Sequence, residues 1–323
     1  MRLEKIAAIA CISLATSLNV QAAEYPEPNH PIRIIHGYAA GGNADIISRV
    51  VGQAMTPGMG VPFAIEAKPG AGGLIAAQTV ARAAPDGYTL ITLLGGHSVK
   101  GALSDNLGFD PVDSFSMIST IMNFPFLIMV KADSPYKTIQ DLNKAMKTKK
   151  EALSYGSAGV GTTQHLTGEI MSSQGGVKLL HVPYRGGAAA MTSLLGNEID
   201  FVIDTATIAV PQVKAGAIRV LAVTSNTRWS GMPDVPTLAE SGYDGFNVSS
   251  WAGLAGPANM PPAIVKRLNT ELQKALSTDA AKTQLKTMGG DIATGTPNDM
   301  KERISGEIQK YRKVAKEKNI PRL

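Results

Sequence analysis

The order of hydrophobic and polar positions predicts that short β-strands alternate with α-helices along most of the chain. Residues 32–35 form an apolar run of the β type, and the apolar residues of 46–54 recur at helical spacing. The same order returns at 126–130 and 138–147. Residues 88–94 form a continuous apolar run, which is typical of a strand buried on both faces. This alternation predicts a mostly parallel sheet that helices cover on both faces.

Other stretches extend this pattern to the end of the chain. Further strands are predicted at 63–66, 181–184, 201–204 and 220–223. After Trp251, three amphipathic patterns predict helices at 263–276, 280–288 and 298–316.

Two glycine-rich loops each join a predicted strand to a predicted helix. Residues 154–166 (SYGSAGVGTTQHL) contain one loop, and residues 37–45 (GYAAGGNAD) contain the other. Ser157, Thr162 and Thr163 place hydroxyl groups at a helix N-terminus, where unpaired backbone N–H groups and the helix dipole favour an anion. Ligands of open α/β sheets bind at the carboxyl ends of the strands. The two loops therefore predict two similar lobes that face each other across an anion-binding cleft.

The loop at 156–161 does not fit the common nucleotide or hydrolase motifs. A P-loop requires lysine after its second glycine, and Thr162 occupies that position. The glycine order also differs from the dinucleotide fingerprint Gly-x-Gly-x-x-Gly. A serine-hydrolase elbow requires glycine two residues before the serine, but Tyr155 stands there before Ser157. These departures favour a small anion over a nucleotide.

Four polar residues are candidate ligand groups that each also have a structural interpretation. Asp45 either stabilises the start of its helix and pairs with Arg49, or binds an ammonium or a water held by the ligand. Asn43 either donates its amide to a carboxylate or tolerates an unusual loop conformation. His165 either lines the site or bonds to nearby backbone. Asp204 ends a buried strand, so its carboxylate must be paired or lie near the ligand.

The N-terminus and the composition limit the class of protein. Residues 1–22 have the positive start, apolar core and small residues before a cleavage point that are typical of a secretory signal peptide. Cys11 is the one cysteine of the chain, so cleavage after Ala22 would remove any thiol nucleophile or disulfide. The formal charge of +5 is mild, and the basic run at 144–150 has no interleaved aromatics, which argues against nucleic acid. The five histidines show no metal-ligand spacing, so we expect no metal and no cofactor.

Several motifs together resemble the substrate-binding proteins of tripartite tricarboxylate transporters, the periplasmic Bug family. The resemblance covers essentially the whole chain after residue 22. The motifs that carry it are residues 32–45, PGAGG at 69–73, PDGYT at 85–89, YGSAGVGTTQHL at 155–166, HVPYRGG at 181–187, LAVTS at 221–225 with Arg228, PDVPTLAE at 233–240, and WAGL at 251–254. One departure lies in the first loop, where Ala39 and Ala40 replace the prolines that are common in the family.

The resemblance implies a two-lobed α/β fold of the periplasmic-binding-protein type II (Venus flytrap), with mixed sheets flanked by helices. Lobe 1 would comprise 23–124 plus 227–323, and lobe 2 would comprise 125–226. The implied protein is a periplasmic monomer that binds a small carboxylate (dicarboxylate, tricarboxylate, acidic amino acid or aromatic acid). It would deliver this ligand to the membrane permease subunits of a tripartite transporter, or present it to a sensor.

The implied site holds the carboxylate through the two loops, with no catalytic residue. The positions carried over from the family are Tyr38, Gly42, Asn43 and Asp45 in the first loop, Ser157, Ala158, Gly161, Thr162, Thr163 and His165 in the second loop, and Asp204 from the following strand. The alternative from another class is a periplasmic hydrolase or isomerase of a small acid, which would use His165 with Asp204 or Ser157.

Overall fold

The computed structural model describes residues 25–323, so the predicted signal peptide at 1–22 lies outside the described residues. The helices are α1 Asn43–Met59, α2 Leu74–Ala81, α3 Gly96–Leu103, α4 Ile139–Thr148, α5 Thr163–Gly175, α6 Gly187–Leu195, α7 Ala206–Lys214, α8 Pro262–Leu276, α9 Asp279–Thr287 and α10 Pro297–Glu317. The strands are β1 Ile32–His36, β2 Phe63–Ala67, β3 Thr89–Leu94, β4 Phe115–Pro125, β5 Leu127–Lys131, β6 Leu153–Ser157, β7 Leu179–Pro183, β8 Phe201–Asp204, β9 Ile218–Val223, β10 Ser249–Pro257 and β11 Asp291–Ile292.

The strands form two sheets, and the chain passes between them twice. One sheet has the order β11-β4-β10-β3-β1-β2, and the other has the order β7-β6-β8-β5-β9. The first passage joins β4 to β5, and the return runs from β9 to β10. All strands of the second sheet lie within residues 127–223, inside the predicted lobe 2. The exact lobe bounds stay a prediction.

Both sheets are mixed, so the prediction of a mostly parallel sheet was wrong. Parallel pairing joins β1 to β2 and β3, and joins β6 to β7 and β8. Antiparallel pairing joins β10 to β3 and β4, β11 to β4, and β5 to β8 and β9. The antiparallel pairs occur because the chain changes sheet through β4–β5 and β9–β10 without an intervening crossover helix.

Local signals in the sequence explain why the elements begin where they do. The three C-terminal helices were predicted to within two residues, and α10 begins with Thr296 and Asp299 in a reciprocal capping box. The apolar β3 is buried along nearly its whole length, as its continuous hydrophobic run requires. Trp251 on β10 is fully buried, and its indole N–H donates to Glu307 at 2.7 Å. Among residues 25–323, no helix is long and apolar enough to cross a membrane.

Candidate functional site

A small cavity lies where the strand-to-helix loops of the two sheets meet. Its volume is about 20 Å³, which is room for about one water molecule. Its walls are formed by Tyr38, Gly42, Asn43, Ala44, Leu94, Gly96, Phe124, Phe126, Ala158, Thr163, Gln164, Gly187, Asp204, Thr205 and Ser250. Both sheets contribute to the walls, so a molecule bound here would touch both.

Five helices begin at this cavity. The first residues of α1, α3, α5 and α6 line it, and α7 begins directly after Thr205. The residues before α1, α3, α6 and α7 make no side-chain capping bond to their helices. No side chain therefore caps these four helix N-termini, and the positive ends of the dipoles add to a field that favours an anion.

Three buried side-chain atoms of the cavity walls have no hydrogen-bond partner among residues 25–323. They are Asn43 Nδ2, Asp204 Oδ2 and Thr205 Oγ1. Each belongs to a residue whose other polar groups are engaged or whose side chain is more than nine-tenths buried. A buried polar atom without a partner is costly, so the two donors among these atoms, Asn43 Nδ2 and Thr205 Oγ1, are groups that a bound anion would satisfy.

The orientation of the Asn43 amide is set by a bond between the sheets. Thr207 Oγ1 donates to Asn43 Oδ1 at 2.7 Å, from α7 to α1. Because the oxygen is taken, the Nδ2 donor is the group of this wall residue that is left without a partner among residues 25–323. The amide therefore supplies two N–H donors at the start of α1, where an anion is favoured.

Asp204 is the charged residue of the cavity walls. Its Oδ1 accepts the N–H of Thr205 at 2.7 Å, and burial raises its pKa to about 6. In the described part of the chain, no lysine, arginine or histidine lines this cavity. Anion binding here would depend on N–H groups and hydroxyls instead of on an ion pair.

The structure brings six of the eleven sequence-predicted site residues to the cavity. These six are Tyr38, Gly42, Asn43, Ala158, Thr163 and Asp204. The other five, Asp45, Ser157, Gly161, Thr162 and His165, do not line it. Ligand contact by any of the eleven stays a prediction.

Asp45 is fully engaged by its own loop and helix. Its Oδ1 lies 3.1 Å from His36 Nε2, and its Oδ2 accepts from Arg49 Nε and from the N–H of Gly41, both at 3.0 Å. The predicted pair with Arg49 is confirmed. Burial alone would raise the pKa of the Asp45 carboxyl, but the bonds from Arg49 and Gly41 outweigh it and hold the pKa below its usual value. The carboxylate therefore shapes the first loop.

Ser157, Thr162 and His165 hold the second loop together. Ser157 Oγ lies 2.6 Å from His181 Nε2 and accepts the N–H of Gly159. Thr162 Oγ1 donates to Gly159 O at 2.7 Å and accepts the N–H of His165, which caps α5. His165 Nδ1 accepts the N–H of Gly161, and its ring stacks on His181. For His165 the geometry matches the structural interpretation, whereas the hydroxyls of Ser157 and Thr162, which were predicted to bind an anion, bond within their own loop.

The contacts of Ser157 also argue against the hydrolase alternative. Ser157 pairs with His181, whose pKa is lowered to about 4 by burial and by nearby His165. Neither Ser157 nor His181 lines the cavity, so this pair could not reach a substrate bound there. Among residues 25–323, no cluster of three or more His, Cys, Asp or Glu side chains could hold a metal ion.

Nine residues of the cavity walls were not predicted from the sequence. They are Ala44, Leu94, Gly96, Phe124, Phe126, Gln164, Gly187, Thr205 and Ser250. A signal existed for Gly96 and Gly187, because each begins a helix directly after a glycine and within four residues of a strand, as in the two loops that were recognised. No local signal existed for the residues on β4 and β10, which are Phe124 and Ser250, or for Phe126 between β4 and β5. The position of these strands depends on long-range pairing.

The chain matches known proteins over nearly its whole length. A family model described as "Tripartite tricarboxylate transporter family receptor" matches residues 47–320. The UPF0065 protein encoded in the ttuE–ttuC′ intergenic region of Agrobacterium vitis is 34% identical over 315 residues, which cover 96% of this chain and 90% of the relative.

Two solved structures are similar to this one. The periplasmic binding protein BugD is 32% identical with a TM-score of 0.88, covering 92% of this chain and 100% of that one. R. palustris Rpa4515 with adipate is 31% identical with a TM-score of 0.88, covering 93% and 100%. The predicted periplasmic-binding-protein fold with two mixed sheets is confirmed.

Proposed function

The chain belongs to the tripartite tricarboxylate transporter receptor family, and we propose that the solute it receives is a small carboxylate held in the cavity between its sheets. The family resemblance inferred from the sequence is confirmed. Members of the family are periplasmic substrate-binding receptors and not enzymes, which confirms the prediction that this chain is a receptor.

The observation that carries the proposal is the unpartnered Asn43 Nδ2 among five helix N-termini. Thr205 Oγ1, which belongs to the other half, is a second buried donor without a partner among residues 25–323. A carboxylate oxygen accepts several N–H or O–H bonds at once, so it matches this set of donors. The apolar walls, which include Leu94, Phe124 and Phe126, suit the carbon chain of an organic acid better than an inorganic anion. The similar protein Rpa4515 is described with adipate, a carboxylate of this type.

Opening and closing of the cleft would admit the ligand. The cavity is smaller than any organic acid, and hydrogen bonds between the two halves close it: Ala39 N–H donates to Arg185 O at 3.0 Å, and Thr207 Oγ1 donates to Asn43 at 2.7 Å. Entry of an acid requires these bonds to break and re-form around it. Contacts with the ligand would then offset the free energy needed to close the halves.

Location and partners follow from the family at a coarse level. Family members act in the periplasm with transporter components. For this chain we propose a signal peptide at 1–22 that is cleaved after Ala22, a monomeric receptor, and delivery to permease subunits or to a sensor.

A thermal-shift screen of the purified protein tests the carboxylate proposal. Each acid is paired with its neutral amide, for example succinate with succinamide, at the same concentration. A ligand present at about 100 times its Kd stabilises the folded state by about 2.7 kcal/mol, which should raise the Tm by several degrees. We expect an acid to give this rise and its amide to give none. Equal shifts from acid and amide, or a shift from neutral solutes alone, would contradict the proposal.

A further inference from the structure

A second small cavity adjoins the first one, on the other side of Tyr38 and Leu94. Both residues line both cavities, and the second also has a volume of about 20 Å³. Its remaining walls come from Gly37 after β1, the glycine turn at 72–73, α2, β3, α3 and Phe109, with Lys100 among them. Two neighbouring cavities that share an aromatic wall could be occupied by the two ends of one ligand.

Lys100 is a buried ammonium without an anionic partner. Its side chain belongs to a residue that is 7% exposed, and its Nζ donates to Val160 O of the second loop at 2.7 Å. Within residues 25–323, no carboxylate lies within 4.0 Å of this nitrogen. Lysine is almost never buried unless it is paired, because desolvation of the charge is costly.

The other titratable group of this cavity does not supply the positive charge. His97 Nε2 lies 2.7 Å from Pro111 O, and burial lowers the His97 pKa to about 4, so this ring is neutral at pH 7. Burial lowers the pKa of the Lys100 ammonium to about 8, so it is still mostly protonated at that pH. The second cavity therefore has one buried cation, on Lys100.

We propose that Lys100 is a second anion-binding group of the ligand site and receives the far carboxylate of a short linear diacid. This inference rests on the proposed function, because the near carboxylate is the one placed at Asn43 and the helix N-termini. The carbon chain would pass Tyr38, which lines both cavities. When the halves part, Val160 withdraws with the second loop, and the Lys100 ammonium becomes free to bind the acid.

The competing interpretation is that Lys100 only stabilises the closed form, through its hydrogen bond to Val160 O. Matched pairs of acids separate these roles, because a residue that only stabilises the closed form changes the affinity for every ligand equally. Calorimetric titrations compare butanoate with succinate, and hexanoate with adipate, on the wild type, Lys100→Met and Lys100→Arg. Lys282→Met serves as the control, since Lys282 is an exposed lysine on α9 without an ion pair in the described residues.

We expect the wild type to bind the better diacid at least tenfold more tightly than its matched monoacid. A charge-assisted hydrogen bond accounts for about 10- to 100-fold in affinity. Lys100→Met should lose that factor for the diacid while its monoacid affinity stays within about threefold. Lys100→Arg should keep a preference for the diacid, and Lys282→Met should match the wild type.

Three results would overturn the inference. They are a wild type without a diacid preference, an equal loss of monoacid and diacid in Lys100→Met, and a Lys100→Met that keeps the full preference. The proposed function stands in all three cases, provided that some acid binds. If the wild type binds no acid, the proposed function itself fails. If Lys100→Met does not fold, Lys100→Gln takes its place, with the same expected loss for the diacid alone.

Discussion

Thr207 donates its hydroxyl hydrogen to Asn43 Oδ1 across the cleft at 2.7 Å, while Asn43 Nδ2 has no partner among residues 25–323. One contact thus links the halves and orients the donor that we assign to the ligand. Receptor closure and ligand recognition are coupled at this pair of residues.

Thr207→Val should weaken carboxylate binding without unfolding the protein. Valine keeps the volume but cannot donate, so the Asn43 amide loses its anchor and the closed form loses one bond. A neutral hydrogen bond contributes about 1 kcal/mol, which corresponds to about a fivefold loss of affinity by calorimetry. Thr192→Val is the matched control, because the exposed Thr192 hydroxyl bonds within its own helix. Equal affinities in Thr207→Val and the wild type would show that the Thr207–Asn43 bond does not contribute to carboxylate binding.

Asp204→Asn should stabilise the protein at neutral pH. The folded pKa of about 6 lies above the ordinary value of 3.8, so the folded chain binds more protons between about pH 4 and pH 6. The contribution of Asp204 to stability is therefore full below about pH 4 and is lost as the pH rises through 6. A shift of this size corresponds to about 3 kcal/mol, so the variant should gain up to that amount at pH 7 and almost nothing at pH 4.

Urea unfolding of both proteins at several pH values measures this gain. The difference between the two proteins is the informative quantity. The pKa values of His97 and His181 are lowered to about 4, so these residues also reduce the free energy of unfolding as the pH falls. Both proteins contain them, so this effect cancels in the difference. A variant that is less stable than the wild type at pH 7 would mean that the Asp204 carboxylate is compensated in the folded state.

Gly187→Ala should disrupt the cavity wall. A Cβ at this position would lie 1.9 Å from Asp204 Oδ2, so this carboxylate of the cavity wall must move. We expect a loss of about 1–3 kcal/mol in the free energy of unfolding and at least a tenfold loss of acid affinity. Gly306→Ala is the control, because open space surrounds Gly306 in α10 and alanine there should stabilise by about 0.5–1 kcal/mol. Unchanged acid affinity in Gly187→Ala would place the ligand elsewhere.

Ser157→Ala should affect stability more than binding. Its hydroxyl is fully buried and serves His181 and the Gly159 N–H, which would both lose a partner. The expected loss is about 1–3 kcal/mol in urea unfolding, with acid affinity within about threefold of the wild type. Ser305→Ala is the control, since that hydroxyl bonds within α10. A large loss of affinity with intact stability would instead make Ser157 a ligand contact.

Much of the fold was predictable because its signals are local. The strand–loop–helix units at β1–α1 and β6–α5 and the helix α10 are specified by glycines, caps and apolar periodicity within short windows. The strands β4 and β10 were not predicted as strands, although they pair with each other over nine residues. Their polar and small residues carry no clear period of two, and their position depends on partners far away in the chain. The antiparallel pairs were missed for the same reason.

The candidate site was predictable in part. Residue type and loop position indicated Asn43 and Asp204, since an amide at a helix start and a carboxylate at the end of a buried strand both require partners. Residue type misled at Ser157 and His165, because hydroxyl and imidazole groups stabilise a glycine-rich loop with the same bonds that would hold a ligand. The sequence does not show whether such a group points into the cavity or along the backbone. Ser250 and Phe124 reach the cavity through pairing of distant strands, which no local pattern reports.

The most direct test of the carboxylate site is a calorimetric titration of the wild type and Asn43→Ala with the best acid from the screen. Asn43→Ala removes both the unpartnered Nδ2 and the Oδ1 that accepts from Thr207, so its loss of affinity should exceed the loss of about fivefold that is expected for Thr207→Val. We expect at least a tenfold loss of affinity in Asn43→Ala. Wild-type affinity in a folded Asn43→Ala would contradict a carboxylate site at this residue.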